Sequence, residues 1–152
     1  MNIISSSFLI SDCNFSFCLS DAFDGDFVIG ELTGCKFEQI EGDGVDFSGS
    51  VVTVKNSIFN DIIDKAISVG EKSVVTVKNC EIDTVSFGVV SKDSSQTKVE
   101  SGTMVKNAST AAFSSFQKKE SFGPASIHVF DPKIFLCKLD FLIQTNSSGV
   151  LN

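Results

Sequence analysis

The chain has 152 residues, a net charge of −7 and no arginine, tryptophan or tyrosine, so that all twelve basic residues are lysine. That length supports one domain with a buried core, and an acidic surface without Arg argues against nucleic acid as a partner, because phosphate is repelled and the bidentate reader of guanine is missing. Apolar runs such as Ile134–Leu136 and Phe141–Ile143 are far shorter than the roughly 20 residues of a membrane helix, and Met1–Ile10 has neither a basic start nor a cleavage site, so neither a membrane span nor a signal peptide is expected.

Self-similarity organises the whole chain. Val51-Val-Thr-Val-Lys-Asn-Ser57 returns as Val74-Val-Thr-Val-Lys-Asn-Cys80, and from about Phe8 to Thr145 six near-copies of one unit follow one another. In chain order, Met1–Ser7 is the end of a preceding unit, with Met1 and Ile3 matching Phe23 and Gly25. The first copy carries Ile10, Phe15, Cys18 and Phe23, the second Leu32, Phe37, Ile40 and Val45, and the third Val54, Phe59, Ile62 and Ile67. The fourth has Val77, Ile82, Val85 and Val89; the fifth has Val99, Met104 and Asn107, where Asn107 is the one polar break; the sixth has Val129, Ile134 and Cys137. Steps between the leading members are 22, 22, 23, 22 and 30 residues, and the long one contains an inserted loop at Ser114–Ala125. A small residue always precedes the fourth column: Ala22, Gly44, Ala66 and Gly88.

Within a unit, apolar and polar residues alternate, as at Val52 and Val54 or Ile67 and Val69, and the inward positions hold β-branched and aromatic residues; this is the period of a strand. Three short strands per unit, separated by Gly, Asn, Asp or Ser, leave no room for a crossover helix. One unit cannot bury its inner face, but stacked units can, each strand pairing in parallel with its equivalent about 4.8 Å away. The expected fold is therefore all-β, a single domain over residues 1–152 formed as a solenoid of about six coils.

The run Val52-Thr-Val-Lys-Asn-Ser-Ile-Phe59 through Lys65-Ala-Ile-Ser-Val69, repeated with Cys80 and Gly88-Val-Val90, resembles the coil repeat of right-handed parallel β-helix proteins, the pectate-lyase-like superfold. That resemblance implies a right-handed coil sense. Pectate lyases, polygalacturonases, phage tailspikes and non-catalytic modules of larger proteins share the fold, so function has to be argued from a site.

The strongest candidates are Asp21, Asp24, Asp43 and Asp46, since Asp21 aligns with Asp43 and Asp24 with Asp46, placing four carboxylates at one edge of the first two coils. Stacked carboxylates repel, which raises a pKa and suits acid–base work or calcium, and the resemblance implies that a catalytic member would place its acids or its calcium on this face. No Arg or His stands beside them, the polygalacturonase motifs are missing, and Lys65 and Ser68 end the acidic columns in the third coil. No catalytic residue is assigned, and no metal ligand. The expectation is a non-catalytic scaffold or binding module for a polysaccharide or protein, with a polysaccharide lyase or glycoside hydrolase on the acidic face, or a fibre-like segment, as alternatives, and with calcium as the one cofactor the acids could take.

Other columns read as structure. Asp12, Asn56 and Asn79 suit hydrogen bonding along a stack of turns, and Thr53 with Thr76 faces solvent. Cys13, Cys35, Ser57 and Cys80 form a ladder of small side chains whose parallel Cα–Cβ vectors suit a disulfide poorly, and with no CxxC and the single His128 in a distant coil, zinc-site spacing is absent. The sequons at Asn14, Asn107 and Asn146 carry no weight without a secretion signal. The first coil is open, which predicts either further coils before it or a homo-oligomer that covers it. At the other end Phe135, Leu136, Leu139, Phe141 and Leu142 leave the repeat and are expected to cap the stack.

Overall fold

The computed structural model describes all 152 residues and consists of parallel strands wound around one core. β1 (Asn2–Ile4) belongs to the preceding coil; β2 (Ser7–Ser11), β3 (Asn14–Cys18) and β4 (Phe23–Asp26) make the first complete coil, and β5 (Ile29–Thr33), β6 (Lys36–Ile40) and β7 (Val45–Ser48) the second. In the next three coils the second and third strands fuse: β8 (Val51–Lys55) with β9 (Ile58–Gly70), β10 (Val74–Lys78) with β11 (Glu81–Lys92), and β12 (Gln96–Val99) with β13 (Met104–Phe116). The sixth coil is β14 (Ser126–Val129), β15 (Lys133–Phe135) and β16 (Phe141–Ile143), and β17 (Ser148–Leu151) opens a seventh. No helix is long and apolar enough to cross a membrane.

The leading strands form a seven-stranded parallel sheet, and the others a ten-stranded sheet bent around the core. What bends the latter is a repeated left-handed residue: Phe17, Gln39, Asp61, Thr84, Asn107 and Leu136 all have φ between 51° and 58° and lie just before the turn toward the third strand. A non-glycine residue tolerates that region only where it turns the chain with its side chain free, so the position selects no residue type that a hydropathy pattern would show. A second left-handed column, Asp12, Gly34, Asn56, Asn79 and Gly102, makes the turn after the first strand, and there the Asn79 amide donates to Asn56 Oδ1 at 2.9 Å.

Inward columns run down the axis. Ile10, Leu32, Val54, Val77, Val99 and Val129 pair in register. Phe15, Phe37 and Phe59 stack face to face, with centroids 4.8 and 4.6 Å apart and planes within 3°, an offset-stack spacing that adds to simple burial. The next two columns differ from expectation in the fifth coil. Ile82 pairs with Val105, not Met104, and Val85 pairs with Ala108, not Asn107. The turn at Glu100–Thr103 holds one residue more than its counterpart at Lys78–Cys80, and absorbing it there keeps Val105 and Ala108 inward and Asn107 in the bend. The polar break is thus a one-residue slip, since a shift of one turns every side chain to the other face.

The fourth column continues as Phe23, Val45, Ile67, Val89, Phe113 and Phe141. Its small predecessors are a steric requirement: a Cβ on Gly88 would stand 2.4 Å from the Ala112 carbonyl oxygen. Of the expected insertion, Ser114 to Phe116 are strand, and the excursion itself covers residues 117–125. At the C-terminal end no cap folds across the stack. Phe141 stays in its column, Leu136 is exposed, and β17 pairs with β14 because Gly149 leaves room for Ile143.

Phe37, fully buried between two rings, is expected to cost about 3–5 kcal/mol when replaced by Ala. Urea unfolding measures it, and the same experiment should show Val105→Ala costing more than Met104→Ala, the reverse of what the unslipped register would give.

Candidate functional site

Asp24 and Asp46 lie on the third strands of the first two coils and pair in register, while Asp21 and Asp43 lie in the turns just before those strands, one coil apart. Asp21, Asp43 and Asp46 bring carboxylate oxygens within 4.8 Å of one another. Each of the four is engaged by groups of the chain itself. Asp21 Oδ1 accepts from the Asp43 backbone N–H at 2.7 Å; Asp43 Oδ1 accepts from the Lys65 N–H at 3.0 Å and from the Lys65 ammonium at 3.3 Å; Asp24 Oδ2 accepts from the Asn2 amide at 2.8 Å. Lys65 also donates to Asp64 at 2.5 Å. Asp46 Oδ1 has no hydrogen bond, yet the Lys92 ammonium stands 3.5 Å away as an ion pair. Lys92 reaches it from two coils on by lying over Gly70, where a Cβ would meet Lys92 Cε at 2.9 Å.

The sequence pattern takes Lys65 as the point where the acidic column ends. In the structure Lys65 completes it: one column runs Asp21, Asp43, Lys65, each bonded to the next. Lys92 and Asp64 escaped the sequence reading because neither shares a column with its partner. A signal for Lys65 was present in its 22-residue offset from Asp43, the interval of every stacked pair in that stretch.

Electrostatics follow burial. Asp43 is 5% exposed, and burial pushes its carboxyl from 3.8 up to about 6, with Lys65 opposing and Asp46 and Asp64 adding to the rise. Asp24 is also raised, by burial first and then by Asp26, Asp46 and Asp21. Burial alone would lower Lys65, but the hydrogen bond it donates to Asp64 and the charge of Asp43 outweigh burial and raise Lys65 above the ordinary lysine value. Chemically, three converging carboxylates could hold a hard cation, with Asp21, Asp43 and Asp46 as ligands, once Lys65 and Lys92 withdrew. As it stands, the arrangement is a charge-compensated staple joining coils along the axis.

A family model described as a right-handed β-helix region matches residues 3–151. The chain belongs to the right-handed β-helix family. No curated protein matches it. Within this β-helix the remaining polar ladders serve the turns. Val28, Ser50 and Ser73 donate their N–H groups to the hydroxyls of Ser50, Ser73 and Ser95, a serine ladder that the sequence reading passed over although its members recur at 23 and 22 residues. All five cysteines are unpaired. The Cys35 and Cys80 N–H groups donate to Ser57 Oγ and Thr103 Oγ1, and burial raises the Cys80 thiol to about 11, so it is a packing group and not a nucleophile. In the inserted loop, the N–H groups of Lys118 and Lys119 donate to Asp93 Oδ1 at 2.6 and 2.7 Å, and the Lys119 ammonium pairs with Glu71.

Because the folded state holds the Asp43 proton more tightly than the unfolded chain does, the stability this group contributes is present below about pH 4 and is lost as pH rises through about 6. Asp43→Asn, which keeps an acceptor for the Lys65 N–H, should remove that loss, so that wild type falls relative to the variant between those limits. Asp43→Ala should cost about 1–3 kcal/mol by orphaning a buried donor. Urea midpoints measured against pH check both, and parallel profiles for wild type and Asn variant would contradict the assignment.

Proposed function

We propose that this β-helix is a non-catalytic scaffold or binding module, with the acidic edge at Asp21, Asp24, Asp43 and Asp46 as its contact surface for a polysaccharide or protein. The observation that carries this reading is the internal pairing of the acids. A general acid and base must reach substrate, whereas Asp43 is buried and bonded to Lys65, and Asp46 faces the ammonium of Lys92. Asp21 is exposed and Asp24 and Asp26 are half-buried at the rim, where they present negative charge to a partner.

The competing reading is a polysaccharide lyase or glycoside hydrolase in which Asp24 and Asp46 form an acid pair or hold calcium. It is favoured by the upward shifts of Asp24 and Asp43, since perturbed carboxyls cluster at functional sites. Incubation with a panel of acidic and neutral polysaccharides, with and without calcium, separates the two. The scaffold reading predicts retention of a glycan or protein partner without release of reducing ends or unsaturated products, weakened by Asp24→Asn, and a melting temperature that calcium leaves unchanged because the lysine ammonium groups hold the cation's place. Cleavage abolished by Asp24→Asn with Asp46→Asn, or a calcium-dependent rise in melting temperature lost in the same variant, would establish the enzyme instead.

A further inference from the structure

The bend between the second and third strands carries a hollow that the acidic edge does not use. Cys18 and Ile40 turn inward there and pair in register, so their neighbours on either side turn outward and form two short ridges along the axis. One ridge is Phe17, Gln39 and Asp61, all in the left-handed region; the other is Leu19, Glu41 and Ile63. Between them lies a hollow of about 260 Å³ floored by Cys18 and Ile40. Phe17, Leu19 and Ile63 are 75%, 82% and 63% exposed; one such residue alone would be ordinary, but three around one hollow make a patch. The second ridge closes in the fourth coil, where the Ser86 hydroxyl donates to the Ile63 carbonyl at 2.6 Å.

Its carboxylates set this hollow apart from the rest of the surface. Elsewhere on the outer positions Glu31, Glu38 and Glu81 pair with Lys55, Lys36 and Lys106 at 2.8, 2.7 and 2.6 Å. Glu41 and Asp61, exposed in adjoining coils on opposite ridges, pair with no lysine of the chain. Two uncompensated anions beside three exposed apolar side chains are complementary to a group that is apolar along its length and cationic at its end. Arg and Lys side chains have that form, because the alkyl stem lies on apolar surface while the charged head stays at the rim. A guanidinium in addition forks onto carboxylates and stacks on an aromatic face, which the exposed ring of Phe17 offers.

We propose that this hollow receives an arginine side chain of a partner protein, its stem between Leu19 and Ile63 and its guanidinium at Glu41 and Asp61. Leu19 and Ile63 stand two coil steps apart, about 9.6 Å, which is the length of only about three extended residues, so the hollow admits one long side chain and not a run of peptide. A second copy cannot supply that side chain, since the chain contains no arginine. None of Asp21, Asp24, Asp43 and Asp46 lines the hollow, so it takes its partner whether or not the acidic edge has a ligand.

Amide shift mapping in the isotope-labelled full chain tests it, with acetyl-Gly-Arg-Gly-amide as the probe and the same peptide carrying norleucine in place of arginine as the uncharged control. The expected shifts centre on residues 17–19, 39–41 and 61–63, and the norleucine peptide should bind about threefold to tenfold more weakly, the worth of one or two exposed ion pairs. Glu41→Gln with Asp61→Asn should weaken the arginine peptide by about the same factor and leave the norleucine peptide unchanged. Leu19→Ser with Ile63→Ser should weaken both peptides, which attraction by net charge alone would not do. All four positions are exposed, and unchanged amide shifts in the other coils confirm that the variants remain folded. Shifts that fall on Asp24, Asp26 and Asp46 instead overturn the proposal, as do equal binding of the two peptides, indifference to either pair of substitutions, or no binding at all, and each of these outcomes leaves the acidic edge to its own test with polysaccharides.

Discussion

Each inward strand residue of this solenoid has its most demanding neighbour one coil away, at the distance of a parallel β-ladder. The ladder fixes that distance at about 4.8 Å, so a side chain must be compatible with its equivalent in the adjoining coils before anything else matters. Flat aromatic rings meet the condition by stacking, as Phe15, Phe37 and Phe59 do. Branched aliphatics meet it by interdigitating, and amides and hydroxyls by hydrogen bonding along the axis. Carboxylates meet it worst, because identical charges repel at that spacing.

The acidic edge follows from that constraint. Two aspartate columns can persist for two coils only if each carboxylate finds a donor, and the chain supplies backbone N–H groups, an amide and two lysines for the purpose. The lysine that breaks the acidic column is the group that makes the column tolerable. An edge built in this way is stiff and charge-compensated at depth and acidic at its rim, which suits a contact surface better than a proton-transfer site.

What the amino-acid pattern revealed and what it concealed divide along the same physical line. The repeat, the parallel pairing and the leading inward column were legible because inward positions carry a strong hydropathy signal at a nearly fixed interval. The slip in the fifth coil was concealed because one extra turn residue between Val99 and Val105 leaves Met104, itself apolar, in the expected place. Asn107 gave the warning, and the neighbouring Ala108 was the residue that answered it. The bend column was invisible for another reason: a left-handed backbone at Phe17, Gln39, Asp61 and Thr84 is set by geometry and accepts unrelated side chains. Of the site, the positions of the four aspartates could be read directly. Their partners could not, since Lys92 acts across two coils and Asp64 sits beside Lys65 on the same strand, contacts that no column records.

The account stands or falls on the pairing between coils, which backbone nuclear Overhauser effects in the labelled protein report without reference to stability or activity. Cross-strand contacts should link Phe59 with Ile82 and Ile82 with Val105, and continue from Val54 to Val77 to Val99. Contacts linking Ile82 with Met104, or joining strands that follow one another in sequence as antiparallel hairpins, would contradict the stacked register on which the core and the acidic edge both depend.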